Sequence, residues 1–182
     1  YDYVDLCANF SGSYIRVLAD SAPYPQSDID EELLVKNLID VCGYAMEKGV
    51  NVCIETNGVY SKSDNILRLI DKVKRSNLFI IWDVHHTYRY GNEQPKYTLS
   101  RIGGYVRHVH LKDSRLDGGI IKYKLLGDGD VPIKDAIYQL HKTGYNGFLC
   151  LEWVKRWAYD LDEPGIAFPS FLFYIKDVLK SL

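Results

Sequence analysis

The sequence is dominated by five short, nearly continuous apolar runs that are separated by longer stretches with helical periodicity. The runs are Tyr14–Leu18, Val50–Glu55, Leu78–Asp83, Val106–Leu111 and Phe148–Glu152. Continuous hydrophobicity is typical of strands that are covered on both faces, as in parallel sheets. Because helical patterns lie between the runs, we predict consecutive βαβ units and the α/β fold class.

The helical stretches carry recognisable start and stop signals. Ser27 is a candidate cap for a helix that runs to about Lys48. The last helix is expected to begin near Pro169, and the segment Thr98–Gly104 to be a short, weak helix at most.

Composition predicts a soluble globular protein, and we expect it in the cytoplasm. The net charge is -2, with 22 basic and 24 acidic residues, which argues against a partner that presents many phosphates, such as nucleic acid. No apolar run approaches the roughly 20 residues of a membrane span, so no membrane association is expected. No cysteine pair has C-x-x-C spacing, and Cys53 and Cys150 are interpreted as small, reduced core residues.

Four of the five predicted strands end in a side chain that can bind a metal ion: Glu55, Asp83, His110 and Glu152. In parallel α/β proteins, active sites form at the carboxyl ends of the strands. A single acid there is as often a helix cap, but four such residues in consecutive strands indicate a shared site. Since clustered buried carboxylates are costly without a cation, we predict one divalent metal ion. The oxygen-rich ligands favour Mn²⁺ or Mg²⁺, with Co²⁺ or Zn²⁺ also compatible.

Side-chain alternation adds neighbours to this set. Lys112 shares a face with His110 and is predicted at the mouth of the site, where it would contact a substrate oxygen or form a salt bridge. His108 lies one layer deeper and is interpreted as a buried structural histidine. Asn57 faces the same way as Glu55, and it would contact a substrate or cap a turn equally well.

Five strands are too few to close a barrel, which needs eight strands and about 250 residues. Two architectures therefore stay open: a complete, open, doubly wound sheet, or a (β/α)8 TIM barrel whose first three βα units are missing. The polar strand ends favour the second. We thus predict that residues 1–182 form a single domain, the C-terminal portion of a TIM barrel with about five βα units.

Four sequence runs resemble, in order, the fifth to eighth strands of the sugar phosphate isomerase/epimerase group of the xylose-isomerase-like TIM barrels. These runs are I-E-T-N-G, W-D-V-H-H, R-H-V-H-L-K-D-S and G-Y-N-G-F-L-C-L-E-W. The resemblance extends over nearly all of the chain from Tyr14 onward. Its motifs are specific for the superfamily and not for a substrate. The resemblance implies the same four metal ligands that the strand ends indicate.

The resemblance also implies an enzyme, a metal-dependent isomerase or epimerase of a small sugar or sugar phosphate. Glu55 and Glu152 would be the catalytic pair that moves the α-proton of a ketose through an enediolate. Further residues are expected to bind the substrate: His86, Asn57, Lys112 and Arg115.

Three alternatives remain. A dehydratase of the inosose or dehydroshikimate type would use the same metal ligands. A DNA-repair endonuclease with a trinuclear zinc cluster would need more than the five histidines present, and the net charge disfavours it. A non-catalytic barrel remnant would expose an unpaired strand edge, and would then need a partner chain, a homo-oligomer or the rest of its gene product for stability.

Overall fold

A computed structural model describes residues 1–26 and 28–182, and its centre is a parallel sheet of five strands. The chain forms the strands β1 (Tyr14–Val17), β2 (Asn51–Glu55), β3 (Leu78–Asp83), β4 (Val106–Leu111), β5 (Asp113–Asp117), β6 (Ile120–Lys124) and β7 (Phe148–Leu151). The order in the parallel sheet is β1-β2-β3-β4-β7, and β5 and β6 form a separate antiparallel hairpin. The sheet curls into half of a barrel, which confirms the predicted fold class. All five predicted strands are present, each within one residue of its expected bounds.

The helices are α1 (Asp2–Asn9), α2 (Glu31–Glu47), α3 (Ser63–Val73), α4 (Val84–Arg89), α5 (Pro95–Ile102), α6 (Ile133–Lys142) and α7 (Pro164–Lys180). Short 3-10 turns follow β2 at Gly58–Ser61 and precede β4 at Gly103–Tyr105. Within residues 1–26 and 28–182, none of these helices combines the length and apolarity needed to cross a lipid bilayer.

Two of the predicted helix starts were wrong. Helix α2 begins at Glu31, because the Asp30 carboxylate accepts the Leu33 N–H at 2.9 Å; the expected cap, Ser27, lies outside the described residues. Helix α7 begins at Pro164 and continues through Pro169, since the earlier proline already occupies the first helical turn. The segment Thr98–Gly104, expected to be a short, weak helix at most, forms the second half of the eight-residue helix α5 and the start of the 3-10 turn after it; tertiary packing buries one face of α5.

The hydrophobic core lies between the convex face of the sheet and the surrounding helices. Alternate side chains of the central strands, such as Ile54, Trp82 and Val109, pack there and are fully buried. Helices α3 and α6 contribute apolar faces that include Ile66 and Ile137. Each buried side chain of this size stabilises the fold by about 1.5–3 kcal/mol, so this face anchors the sheet.

The opposite, concave side of the sheet will be called the inner face; its residues alternate with those of the core. The inner face carries Tyr14, Arg16, Cys53, Glu55, Phe79, Ile81, Asp83, His108, His110, Phe148 and Cys150. On the edge strand β7, Phe148 is 72% exposed and Cys150 is solvent-accessible. The prediction that Cys150 is a core residue was therefore wrong, because the core packs only on the other face of β7.

A register shift between β3 and β4 determines which residues of β4 join the inner face. Ile80 pairs with Val106, but the next residue, Ile81, pairs with His108, so one residue of β4 is extra. Val106 and Val109 both lie in the core although they are three residues apart, which regular alternation does not permit. The bulge thereby places both histidines of β4 on the inner face.

The β5–β6 hairpin was not predicted. Its turn consists of Gly118 and Gly119, which adopt positive φ angles of 58° and 85° that suit a tight two-residue hairpin turn. At its base, the buried Asp113 carboxylate accepts the N–H groups of Ser114, Gly127, Gly129 and Val131 at 2.8–3.1 Å. Asp113 thus fixes the turn that precedes α6.

Candidate metal centre

Four side chains converge at the carboxyl ends of the strands. Glu55, Asp83, His110 and Glu152 each present a ligand atom, and these atoms all lie within 4.8 Å of one another. They come from β2, β3, β4 and the residue that follows β7. The fold thus brings together the four residues that the sequence analysis identified as ligands.

Local structure explains how each strand delivers its residue. Asp83 ends β3 and caps α4, where its carboxylate accepts the His86 N–H at 2.9 Å. His110 Nδ1 lies 3.2 Å from Glu55 Oε1 and 3.9 Å from Glu152 Oε1, so the imidazole stands between the two glutamates. Glu55 and Asp83 are fully buried, whereas the Glu152 side chain on the sheet edge is 26% exposed.

Lys112 inserts its ammonium group into this cluster. Its Nζ donates to Asp83 Oδ2 at 2.8 Å and also to Glu152, and it lies 2.9 Å from His86 Nε2. Burial alone would lower the pKa of Lys112, but the two carboxylates outweigh burial and raise it well above its usual range. The side chain therefore keeps its positive charge inside the site.

Arg16 is a member of the cluster that the sequence analysis missed. Its guanidinium donates a hydrogen bond to Glu55 and lies 3.7 Å from Glu152 Oε1. A signal was present in the sequence: Ile15 and Val17 pack against the core, so alternation turns the charged residue between them toward the inner face.

The two glutamates differ in their electrostatic environment. Burial raises the pKa of Glu55, but the His110 hydrogen bond and the Arg16 charge outweigh burial and hold the pKa below its usual value. Burial and the Asp83 charge raise the pKa of Glu152, which Lys112 offsets only in part. One carboxyl group thus favours the ionised form, and the other holds its proton to higher pH.

Among the expected substrate-binding residues, His86 lies in the cluster. Its Nδ1–H donates to the Thr56 carbonyl at 2.9 Å, which leaves Nε2 to accept a hydrogen bond from Lys112. Burial lowers the pKa of His86, so the ring favours its neutral form.

The other two expected substrate-binding residues lie outside the four-residue cluster. The Asn57 amide donates to the carbonyls of Asp20 and Ala22 at 2.9 and 3.0 Å, so it holds the segment after β1 against the end of β2. Arg115 is exposed on β5. His108, interpreted as a buried structural residue, is half-buried, with Nδ1 2.8 Å from the Tyr14 hydroxyl.

The donor set fits one divalent cation. When ionised, the three carboxylates of the cluster carry more negative charge than the cations of Lys112 and Arg16 together offset. Asp83 and Glu152 each use one oxygen toward Lys112, so further oxygens are available. Oxygen-rich donors with one imidazole suit Mg²⁺ or Mn²⁺.

A curled parallel sheet with its polar cluster at the carboxyl strand ends defines the class of α/β-barrel proteins, whose active sites lie at this end. Residues 1–170 match the family model described as "Xylose isomerase-like TIM barrel", and the chain belongs to this family.

Sequence relatives include sugar-converting enzymes. The chain is 23% identical over 169 residues to fructoselysine 3-epimerase of Shigella flexneri, covering 90% of this chain and 59% of the relative. It is 24% identical over 141 residues to inosose dehydratase of Geobacillus thermodenitrificans, covering 66% of this chain and 46% of the relative.

Solved structures show the same fold. A xylose isomerase domain protein from Planctomyces limnophilus superposes with a TM-score of 0.78 at 26% identity, over 98% of this chain and 62% of that chain. A xylose isomerase-like TIM barrel protein from Mycobacterium smegmatis, solved in complex with magnesium, gives a TM-score of 0.74 at 19% identity, over 98% and 65%. The chain thus spans less than two thirds of each of these relatives.

Proposed function

We propose that this chain carries the metal-binding and proton-transfer part of an isomerase or epimerase that acts on a small ketose sugar or sugar phosphate. The observation that carries the proposal is the convergence of Glu55 and Glu152, from non-adjacent strands, on one cluster with Asp83 and His110. The epimerases among the relatives support the substrate class.

In the proposed mechanism, Glu55, Asp83, His110 and Glu152 hold one divalent cation, for which Mn²⁺ is our first choice. When bound, the cation would polarise a ketose carbonyl and make the neighbouring C–H group more acidic. The ionised Glu55 removes the α-proton, which leaves an enediolate of the substrate. Glu152 returns a proton to the opposite face, which inverts the carbon centre; return at the neighbouring carbon isomerises the sugar.

The surrounding residues bind and orient the substrate. The ammonium of Lys112 donates hydrogen bonds to the developing oxyanion, in a site that excludes most water. His86 Nε2 accepts a hydrogen bond from the Lys112 ammonium, and it would accept one from a substrate hydroxyl instead when the ammonium turns to the oxyanion. Asn57 shapes the wall by holding the segment after β1, and Arg115 on the hairpin reaches substituents of the sugar that lie away from the reacting carbons.

The proposal includes the architecture and setting of the protein. We infer that residues 1–182 act as one domain, the C-terminal portion of an eight-unit barrel in the cytoplasm. The first three units would then be supplied by another segment or by a partner chain, such as a second copy. The share of each relative that the chain spans supports this arrangement.

A dehydratase is the second candidate, because inosose dehydratase is among the relatives. The same proton abstraction by Glu55 would then be followed by loss of a hydroxyl from the adjacent carbon, protonated by Glu152. Mass spectrometry of the product separates the two reactions, since a dehydratase product is lighter by one water and an epimerised product keeps the mass of its substrate.

The test is calorimetric titration of the chelator-stripped chain with Mn²⁺, Mg²⁺, Co²⁺ and Zn²⁺, with Glu152→Gln and a matched surface control, Glu163→Gln. Glu163 is well exposed and lies outside the cluster. We expect one site per chain, weakened at least about tenfold in Glu152→Gln, as for loss of a charged ligand, and unchanged in the control.

Ketoses are then screened for proton exchange from D₂O, with the chain alone and with the first three barrel units added in trans. Exchange that depends on Glu55 and on the metal ion would support the proposal. Absence of metal binding, or binding indifferent to Glu152, would favour the non-catalytic remnant.

A further inference from the structure

A second group of potential ligands lies one layer deeper on the inner face. Its members are His108, His110 and Cys150, whose ligand atoms also lie within 4.8 Å of one another. The group spans two paired strands, with His110 directly opposite Cys150 in the β4–β7 register. The two imidazole rings stand perpendicular to each other, with centroids 5.2 Å apart. Two imidazoles and a thiol form a donor set quite unlike the carboxylates above it.

We propose that this group is a second metal site, which binds a borderline-soft divalent cation such as Zn²⁺ through one thiolate and two imidazoles. Thiolate and imidazole are the donors that zinc prefers, whereas Mn²⁺ and Mg²⁺ prefer carboxylates. Three protein ligands leave the fourth tetrahedral position for water or a small anion.

The hydrogen bonding of His108 supports this assignment. Its Nδ1 is paired with the Tyr14 hydroxyl at 2.8 Å, which leaves Nε2 as the free ring nitrogen. When Nδ1–H donates to the tyrosine oxygen, Nε2 presents its lone pair. A histidine ligand whose other nitrogen is held by a hydrogen bond is the usual arrangement in metal sites.

The three ligand atoms need to move only slightly closer together to bind a zinc ion. Zinc bonds of 2.0–2.3 Å place tetrahedral ligand atoms roughly 3.3–3.8 Å apart. The present separations do not exceed 4.8 Å, so they need to shorten by no more than about 1.5 Å. Cys150 lies on an edge strand and is solvent-accessible, so a cation reaches the thiol without displacing the core.

His110 belongs to both groups, which makes the two sites antagonistic. A cation held by Cys150 and His108 draws the His110 ring away from Glu55, and an ion at the carboxylates does the reverse. This antagonism rests on the proposed function of the carboxylate cluster; the thiolate site itself does not.

Cobalt absorption tests the thiolate site. Co²⁺ added to the reduced, metal-free chain is expected to produce a thiolate-to-cobalt charge-transfer band in the near ultraviolet that saturates at one equivalent. Cys150→Ser should abolish the band, and His108→Phe should weaken Co²⁺ binding at least about tenfold, as for loss of one ligand. Cys7→Ser is the matched control and should keep the band, because Cys7 is the other thiol that is not buried. No band, or a band that persists in Cys150→Ser, would overturn the proposal.

A second set of measurements separates this inference from the proposed function. Glu152→Gln should keep the cobalt band while losing calorimetric Mn²⁺ binding. A chain that gives the band but binds no Mn²⁺ would retain the thiolate site and reject the proposed function; Mn²⁺ binding without the band would do the opposite. Preloading with Mn²⁺ should weaken the band, and independent saturation of both sites would refute the sharing of His110.

Discussion

The two faces of the parallel sheet contrast in how they are covered and in what they carry. The convex face presents apolar side chains such as Ile54 and Trp82 to a layer of helices and is sealed from water. The inner face presents carboxylates, imidazoles and two thiols, and its edge residues Phe148 and Cys150 are accessible. One set of strands therefore serves both purposes, since alternate residues of each strand face opposite ways.

This contrast teaches that stability and chemistry are assigned to different residues of the same strands. In β3, Trp82 holds the strand in the core, and Asp83, the next residue, belongs to the candidate metal centre. A substitution on one face should thus change the free energy of unfolding, and one on the other face should change ligand binding. The predictions below test this separation, beginning with the largest expected effect.

Trp82→Ala should lower the free energy of unfolding by about 3–5 kcal/mol, because it leaves a large cavity in a packed core and removes the indole hydrogen bond to Thr87 Oγ1 at 2.9 Å. Urea denaturation followed by circular dichroism measures the change. Phe148→Ala is the inner-face control and should alter the free energy by less than about 0.5 kcal/mol. Equal losses in both variants would show that the inner face is also covered in solution.

Asp113→Asn should lower the free energy of unfolding by about 2–3 kcal/mol. The amide keeps one acceptor oxygen, so about half of the four N–H groups that the carboxylate satisfies lose their partner. Metal affinity, measured by calorimetry on the folded variant, should stay unchanged. A large drop in metal affinity would show that the turn before α6 also positions the metal ligands, and would contradict the separation between stability and ligand binding.

Lys112→Met should raise the affinity for Mn²⁺ roughly tenfold, because removing a buried positive charge from Asp83 and Glu152 leaves the carboxylates free for the cation. The same variant should lose turnover, since the proposed oxyanion contact is gone. Calorimetry and the D₂O exchange assay provide the two readouts, with the exposed Lys122→Met as control. Weaker Mn²⁺ binding would instead mean that the ammonium orients the ligands.

Much of this arrangement was predictable from the sequence. Alternate residues of any strand face opposite sides, and active sites of parallel α/β proteins form at the carboxyl ends of the strands. Nearly continuous apolar runs predicted the strand positions, and the polar residue at or near the end of four of these runs predicted the cluster of three carboxylates and one imidazole. The roles of these residues in binding and catalysis stay predictions until the titrations are made.

The errors have physical causes that differ from one residue to the next. Arg16 was overlooked because its short strand was treated as wholly apolar, although alternation excluded that. Cys150 was assigned to the core because sequence does not show which strand lies at a sheet edge. The β5–β6 hairpin did have a signal, since Gly118 and Gly119 stand between two alternating segments. The exact start of α2 depends on the hydrogen bond that the Asp30 carboxylate accepts from the Leu33 N–H. Sequence alone did not distinguish Asp30 from Ser27, which is also a residue type that caps helices.

The single extra residue in β4 determines which side of the sheet each later side chain of the strand faces. In a regular strand that starts with Val106 in the core, His108 would also face the core and Val109 would face the concave side. The extra residue reverses this for every later residue of β4. Deleting Arg107 would remove the extra residue and leave a regular strand, in which Val109 and Leu111 still face the core and both histidines still face the concave side. Straightening the bulge with all six residues kept would instead turn both histidines into the apolar layer. The skipped pairing at Arg107 thus decides whether this strand supplies imidazole nitrogen or hydrocarbon to the concave side.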